Sequence, residues 1–261
     1  MYKPFFLLLL VGLLFTSCVP TQDLIYLQNK ENNDVLQAVN PVVFKPYRLQ
    51  INDIVSITLK ALDQQLVEMF NSGSNAQALT TEQSLYQLGY SVDDHGNIRI
   101  PVLGEVNVLG HTIEEARVKI ENQLLEEYFN KEANIFVNIK LSGFRYTING
   151  EVNQPGTKTL FSDRVSIMEA IANAGDITIT GDRKDVMVMR QSPSGTQMQS
   201  LDLTDISSMQ SPYYQLQPND YIYVKPLPQK SWGTGTTGVQ SLTTIITALT
   251  LVSTTILLLT R

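Results

Sequence analysis

Short runs in which apolar and polar residues alternate predict β-strands through the middle of the chain. Ile54–Leu59 is rich in β-branched residues, Ile135–Leu141 alternates along its length, and Asp185–Arg190 repeats the pattern. Successive side chains of a strand lie on opposite faces of a sheet, so each run predicts a strand with one buried face. Phe144–Val152 predicts a further strand, and the body of the chain closes on Leu216–Val224.

The sequence around Gly96 predicts a β-hairpin. A strand from Tyr86 to Val92 precedes this glycine and the short run Ile98–Pro101 follows it. Gly96 and Asn97 tolerate the positive φ values that a tight turn requires. We therefore expect these two strands to pair with each other.

Two helices are predicted within the body of the chain. Thr112 and Glu115 have the spacing of a capping box, in which each side chain bonds the other residue's backbone N–H. Apolar residues then follow on one face of the first helix: Ile113, Ala116, Ile120, Leu124 and Tyr128. A shorter helix is predicted around Ile167 and Ile171, and Gly175 provides its left-handed C-cap.

The last part of the chain predicts one long helix. Residues 239–260 contain no charge, proline or glycine, and a helix of this length is about 33 Å long, enough to cross a bilayer. Polar residues fall on one face: Gln240, Thr243, Thr247, Thr250 and Thr254. Aliphatic residues cover most of the opposite side: Leu242, Ile245, Ile246, Leu249, Val252 and Ile256.

Two interpretations of this helix follow from its hydroxyl groups. A polar face opposite an aliphatic one predicts a transmembrane helix that lines an aqueous pore when several copies assemble. The alternative is a single-pass anchor, because Thr and Ser hydroxyls can bond the carbonyls of their own helix and then tolerate an apolar environment.

The first residues predict a secretion signal. Lys3 supplies a positive charge, and Phe5–Phe15 is an apolar run too short for a transmembrane helix. Small residues stand immediately before Cys18, a pattern that resembles the lipobox of bacterial lipoproteins, in which this cysteine is acylated. We predict a lipoprotein signal peptide at 1–17, lipidation of Cys18 and an N-terminal tether at 18–42. A plain secretion signal with a leftover thiol is the alternative.

Composition excludes several classes of function. The net charge is −6 without a cluster of Lys or Arg, which argues against nucleic-acid binding. Cys18 is the sole cysteine, so the chain forms no internal disulfide, and His95 and His111 lie in different segments. No metal site and no cofactor is therefore predicted.

Candidate catalytic groups are better explained by structural roles. The carboxylates considered as a catalytic pair are Asp53, Glu82, Asp93, Asp94, Glu114, Glu115 and Glu151. Most fall in predicted turns or in the first turn of a helix, where negative charge is favourable. No nucleophile elbow, P-loop or dinucleotide fingerprint occurs, so no catalytic residue is assigned. Tyr213, Tyr214, Tyr221 and Tyr223 fit strand packing, with sugar stacking as the alternative.

Two stretches resemble known domains. Residues 47–141 resemble the polysaccharide biosynthesis/export family, of which the Wza-type capsule exporters are members. The resemblance rests on the opening Tyr47–Asp53 and on Tyr90–Gly104, which leads into the helix start at Thr112. The segments GEVNQPG from Gly150, EAIANAG from Glu169 and NDYIYV from Asn219 resemble the β-grasp SLBB module that accompanies this domain.

The resemblance implies an α+β fold with a single C-terminal transmembrane helix. We expect a polysaccharide export domain at 43–141 and an SLBB domain at 142–227. A linker at 228–238 then leads to the transmembrane helix at 239–260. The pore-lining residues of that helix would be those of its polar face.

By the same resemblance, the chain is expected to be a homo-oligomeric ring that exports capsular or extracellular polysaccharide through the outer membrane. It would be anchored in outer-membrane lipid by Cys18, with its body in the periplasm, and would not be an enzyme. The expected partners are further copies of the chain, the polysaccharide and an inner-membrane chain-length regulator or tyrosine kinase. The alternatives are a ligand-binding lipoprotein without a pore and a periplasmic glycan-modifying enzyme.

Overall fold

The computed structural model describes most of the chain outside its first residues. The described residues are 20–30, 46–61, 67, 70, 89–129, 134–192, 195–228, 230 and 238–259. Two compact units are present, each formed from separate stretches of sequence. The first consists of Val43–Arg145 and Thr159–Val165, and the second contains Met1–Val42, Tyr146–Lys158 and Ser166–Arg261. The predicted signal peptide and Cys18 lie outside the described residues.

The first unit is built around a three-stranded antiparallel sheet. Its central strand is β1 (Ile54–Lys60), with β2 (Tyr90–Ser91) on one side and β5 (Phe136–Leu141) on the other. Two further strands, β3 (Asn97–Ile100) and β4 (Gly104–Asn107), form a separate antiparallel pair. The predictions of strands at 54–59 and 135–141 are confirmed within one or two residues.

The predicted hairpin around Gly96 is wrong in its pairing. The turn itself is present, since Gly96 has φ +82° and its N–H donates to the Asp93 carbonyl at 2.9 Å. The strand that follows pairs with β4, however, while the two-residue strand before it pairs with β1. Pairing with β4 places Ile98 opposite Val106, and both side chains become almost completely buried. This burial of two β-branched residues favours the observed partner.

Helix α1 (Ile113–Glu127) begins at the predicted capping box. The Thr112 hydroxyl accepts from the N–H of Glu115 at 3.1 Å, and the Glu115 carboxylate accepts from the N–H of Thr112 at 2.9 Å. Ala116, Ile120 and Leu124 are buried as predicted. Tyr128 is 37% exposed and does not extend the buried face, because it lies at the C-cap, where the backbone leaves the helical conformation.

The second unit contains most of a five-stranded mixed sheet. Its order is β7 (Gly156–Leu160), β6 (Phe144–Gly150), β10 (Tyr221–Pro226), β8 (Gly181–Ser192) and β9 (Gly195–Leu201). The central strand β10 runs parallel to β6 and antiparallel to β8. Ile148, Val188 and Ile222 are fully buried at the centre of this sheet. Helix α2 (Ile167–Asn173) ends at Gly175, whose φ of +75° confirms the predicted left-handed C-cap.

The same turn opens the central strand of each sheet. Asp53 precedes β1 and accepts from the N–H of Gln50 at 2.8 Å, and Asp220 precedes β10 and accepts from the N–H of Gln217 at 2.7 Å. Both aspartates are buried, and the residue before each has a positive φ near 70°. Arg190 also donates to the Asp220 carboxylate. Burial raises the pKa of Asp220 above its ordinary value, although Arg190 acts in the opposite direction.

The predicted C-terminal helix is present as α3 (Gly238–Leu259). Within the described part of the chain, however, no helix combines the length and mean hydropathy that a membrane span requires. The prediction of a transmembrane helix at residues 239–260 is therefore not supported.

Gly150 offers a test of the packing between β6 and β10. A Cβ atom at this position would lie 2.1 Å from the Val224 carbonyl oxygen, and the residue has φ +92°. Gly156 also has a positive φ, of +137°, but no atom lies within 4 Å of a Cβ placed there. Both Gly150→Ala and Gly156→Ala therefore place an alanine in a strained backbone conformation. Only Gly150→Ala also brings a methyl group into collision with the Val224 carbonyl.

We expect Gly156→Ala to lower the free energy of unfolding by about 1–3 kcal/mol through strain alone. Gly150→Ala should lower it by roughly a further 1–3 kcal/mol through overpacking. Urea denaturation of the two purified variants measures both values. Equal losses in the two variants would contradict the close approach of these strands.

Candidate functional site

Helix α3 carries a hydroxyl face and an aliphatic face, as its sequence predicts. The side chains of Thr243, Thr247, Thr250 and Thr254 are exposed on the first face. Val252 and Ile256 are 47% and 54% exposed on the second. The side chain of Gln240, the remaining predicted pore-lining residue, lies outside the described residues. The structure therefore brings four of the five predicted residues together on one exposed face.

The hydroxyl groups of this face donate to carbonyls of their own helix. The Thr247 hydroxyl donates to the Thr243 carbonyl at 2.7 Å, and the Thr254 hydroxyl donates to the Thr250 carbonyl at 2.8 Å. Thr250 donates in the same way to the carbonyls of Ile246 and Thr247. Each of these hydroxyls donates its hydrogen to a carbonyl of the helix. Its oxygen can still accept a hydrogen bond from water or from a neighbouring chain.

Several of the candidate carboxylates have structural partners. Asp93 accepts from the N–H groups of His95 and Asn97 within its turn, at 2.9 Å and 2.8 Å. Glu114 pairs with Arg117 one helical turn away, and this hydrogen bond lowers the pKa of Glu114. Glu115 completes the capping box, which lowers its pKa as well. Glu82 lies outside the described residues.

No metal centre is formed by the part of the chain that the structure describes. In that part, no three His, Cys, Asp or Glu side chains come together at a distance that would hold an ion. The Nδ1 atom of His111 lies 3.1 Å from the Leu109 carbonyl oxygen. His95 contributes its backbone N–H to the turn at Asp93.

The predicted tyrosine group is divided among structural contacts. The Tyr213 hydroxyl donates to Gln197 at 2.8 Å, and the Arg190 guanidinium lies 4.7 Å from the centre of the Tyr213 ring. The Tyr221 hydroxyl accepts from the Asn149 side chain at 3.1 Å. Burial raises the pKa of Tyr214. These contacts favour the strand-packing interpretation over sugar stacking.

The segment from Pro20 to Lys30, called here the N-terminal strap, binds to the second unit. Its backbone adds to an edge near β9: the Leu27 N–H donates to the Leu203 carbonyl at 3.0 Å, and the Gln28 N–H donates to the Thr204 carbonyl at 2.8 Å. The N–H of Ile206 returns a bond to the Gln28 carbonyl at 3.1 Å. Part of the predicted tether is thus an ordered component of the folded body.

Side chains of the strap add three polar contacts. Asp23 pairs with Lys184 and Lys30 pairs with Asp202, each at 2.7 Å. Tyr26 donates to Asp176, and the guanidinium of the buried Arg183 lies 5.3 Å from the centre of its ring. Burial and the bond to Asp176 raise the pKa of the Tyr26 hydroxyl.

Residues 176–184, which comprise the loop before β8 and the first four residues of β8, are called here the junction loop and also bind the segment that leads to α3. The N–H of Leu227 donates to the Thr180 carbonyl at 2.8 Å, and Lys230 forms an ion pair with Glu151. Glu151 accepts in addition from the hydroxyls of Thr178 and Thr180. Burial acts to raise the pKa of Glu151, but the hydrogen bonds from Lys230, Thr180 and Thr178 outweigh it and lower the pKa.

The sequence patterns did not predict the strap or its contacts. Tyr26 and Lys30 stand in a short segment without a helical or strand period, and their partners lie about 150 to 170 residues later in the chain. Pairing over such a separation leaves no local pattern. The only available signal was the presence of an aromatic residue and paired charges in a segment expected to be loose.

Two domain models match the chain in succession. The model of the polysaccharide biosynthesis/export protein family matches residues 42–140, and the model of the SLBB domain matches residues 145–224. The two matches correspond to the two resemblances drawn from the sequence.

Curated relatives of the chain include two proteins from Ralstonia. The EPS I polysaccharide export outer membrane protein EpsA of Ralstonia solanacearum is 27% identical over 164 residues, which cover 62% of this chain and 43% of the relative. The protein of the same name from Ralstonia nicotianae is 27% identical over 165 residues, which cover 61% of this chain and 42% of the relative. The matched region spans less than half the length of either relative.

We expect Tyr26→Phe to loosen the strap, because it removes the hydroxyl that donates to Asp176 and leaves the ring in place. The loss should be about 1 kcal/mol in the free energy of unfolding. Hydrogen exchange at the amides of Leu27 and Gln28 measures the effect directly and should become faster. Ile25→Ala, which alters the half-exposed neighbour, serves as the control and should leave this exchange unchanged. Equal protection in Tyr26→Phe and the wild type would contradict the assigned contact.

Proposed function

Because the chain belongs to the polysaccharide biosynthesis/export family, we propose that it is an outer-membrane subunit that passes polysaccharide from the periplasm to the cell surface. The supporting observation is the succession of an export domain and an SLBB domain over residues 42–140 and 145–224. The names of the Ralstonia relatives support the same substrate class and the same membrane. Capsular or extracellular polysaccharide is the proposed cargo.

Cys18 is proposed to anchor the subunit in the inner leaflet of the outer membrane. A single cysteine preceded by small residues and an apolar run supports acylation there. Several acyl chains on one residue hold a protein firmly at a membrane, whereas one chain binds only weakly. The folded body then lies in the periplasm, close to the membrane that the polymer must cross.

Identical subunits are proposed to form a closed ring. A long polymer requires a continuous passage, and only cyclic symmetry turns one element from each chain into a closed wall. Such a passage needs no catalytic step in this chain. The driving force would come from an inner-membrane chain-length regulator or tyrosine kinase at the periplasmic end of the ring.

Helix α3 is the proposed wall of the exit. A bundle of such helices can turn the hydroxyl faces inward and place the aliphatic faces against lipid. The aliphatic side chains Val252 and Ile256 are about half exposed in the single chain. Association with lipid on that face, and with water on the Thr247 and Thr250 face, would place each surface in a favourable environment.

A ligand-binding lipoprotein without a pore is the second candidate function. The observation that favours it is the bonding of the Thr247, Thr250 and Thr254 hydroxyls to carbonyls of their own helix. This bonding reduces the cost of placing the helix in an apolar environment without a water-filled interior. Helix α3 would then be a simple anchor.

The export function is tested by deleting the gene in its natural host. Surface polysaccharide should be lost while polymer accumulates inside the cell, because synthesis continues without an exit. Extraction and sugar analysis of the two fractions measure this, and complementation with the wild-type gene should restore the surface fraction. Unaltered surface polysaccharide in the deletion strain would contradict the export function.

The pore is tested separately by cysteine substitution in α3. Thr243→Cys, Thr247→Cys and Thr250→Cys should react with a hydrophilic thiol reagent in intact cells, since their side chains would face water. Val252→Cys, on the aliphatic face and 47% exposed in the single chain, is the matched control and should react several-fold more slowly. Equal protection at all four positions would favour the anchor over the pore.

A further inference from the structure

Both segments that lead towards the membrane bind to the junction loop. The strap contacts it through the pairs Asp23–Lys184 and Tyr26–Asp176. The segment before α3 contacts it through the Leu227 N–H and the Thr180 carbonyl. The two ends of the chain therefore leave the folded body at one place, although they are separated by about 200 residues of sequence.

The chain lengths on either side keep this place close to the membrane. Cys18 is two residues before Pro20, where the strap begins, so their Cα atoms are at most about 7 Å apart. Lys230 is eight residues before Gly238, where α3 begins, so this gap spans at most roughly 29 Å. An acylated Cys18 would thus hold the strap, and with it the junction loop, next to the lipid.

The surface at this place is suited to contact with a bilayer. Ile25 on the strap and Ile179 on the junction loop are exposed by 49% and 52%, and neither packs into the core. Three pairs of nearby charges neutralise each other: Asp23–Lys184, Lys30–Asp202 and Lys230–Glu151. Paired charges lose less free energy than isolated ones when a low-dielectric surface approaches.

We propose that the strap and the junction loop together form a lipid-contacting surface, with Ile25 and Ile179 touching the leaflet that holds the acyl chains. The inference rests on the lipid anchor of the proposed function. It adds to that function an assigned surface of the SLBB-containing unit and two residues that make the contact. The strap then has a mechanical role, because it fixes the distance between the anchor and the body.

The test uses the full-length acylated protein in vesicles of phosphatidylethanolamine and phosphatidylglycerol. Nitroxide labels are attached at Ile25→Cys, Ile179→Cys and, as a matched control, Met198→Cys. Met198 is 63% exposed and pairs with Met189, which lies eight residues along β8 from Gly181. This separation is about 26 Å along the strand. The control therefore reports an exposed position of the same unit away from the junction loop.

Collisions with oxygen, which concentrates in lipid, are compared with collisions with a water-soluble nickel complex. The oxygen-to-nickel ratio should be several-fold higher at positions 25 and 179 than at position 198. Ratios at 25 and 179 that match the control would overturn the proposed surface. All three positions are half exposed or more, so labels there should not disturb the core, and either test position suffices if the other variant does not fold.

The lipid anchor is judged independently in the same experiment. Wild-type protein should take up no nitroxide, because acylation blocks its only thiol. Uptake at Cys18 would contradict the proposed anchor, and the inference that depends on it would fall for that reason. A blocked Cys18 with control-like ratios at 25 and 179 would instead leave the anchor in place and overturn the surface alone.

Discussion

Each sheet depends on a buried carboxylate that closes the turn before its central strand. Asp53 and Asp220 each accept the backbone N–H of the residue three positions earlier, and each lies one residue before the strand that organises its sheet. The turns require a positive φ at the preceding residue, and an asparagine, which tolerates that conformation better than most residues, stands there in both cases. One local solution thus fixes where β1 and β10 begin, and the neighbouring strands take their register from them.

Local features of the sequence predicted the elements more reliably than their partners. The capping box at Thr112, the C-cap at Gly175 and the long C-terminal helix depend on residues close in the chain, and all three are present. The hairpin around Gly96 was mispaired because strand pairing depends on which contacts bury more apolar surface. The observed partner strand contributes Val106, and the local pattern of alternating residues does not show that pairing with it buries more apolar surface than pairing with the preceding strand.

The same contrast applies to the candidate site, where features set by the local sequence were predicted and features set by tertiary contacts were not. Its hydroxyl face follows from the 3.6-residue period of α3 and was predicted residue by residue, except that the side chain of Gln240 lies outside the described residues. The strap could not be predicted, since Tyr26 and Lys30 find their partners at Asp176 and Asp202 through the tertiary fold. A segment expected to be a loose tether became part of the body because backbone bonds and ion pairs together offset the entropy of ordering it.

The hydroxyl groups of α3 are consistent with its proposed role in a bundle. A helix destined for the outer membrane must first pass the inner one, and a strongly apolar segment would be retained there. Hydroxyls at Thr247, Thr250 and Thr254 lower the hydropathy of the single helix, while their bonds to its own carbonyls limit the cost of later contact with lipid. Stable insertion would then depend on assembly, which hides the hydroxyl face in the interior. The same residues would thereby prevent insertion of the single chain into the wrong membrane and supply the polar lining of the assembled exit.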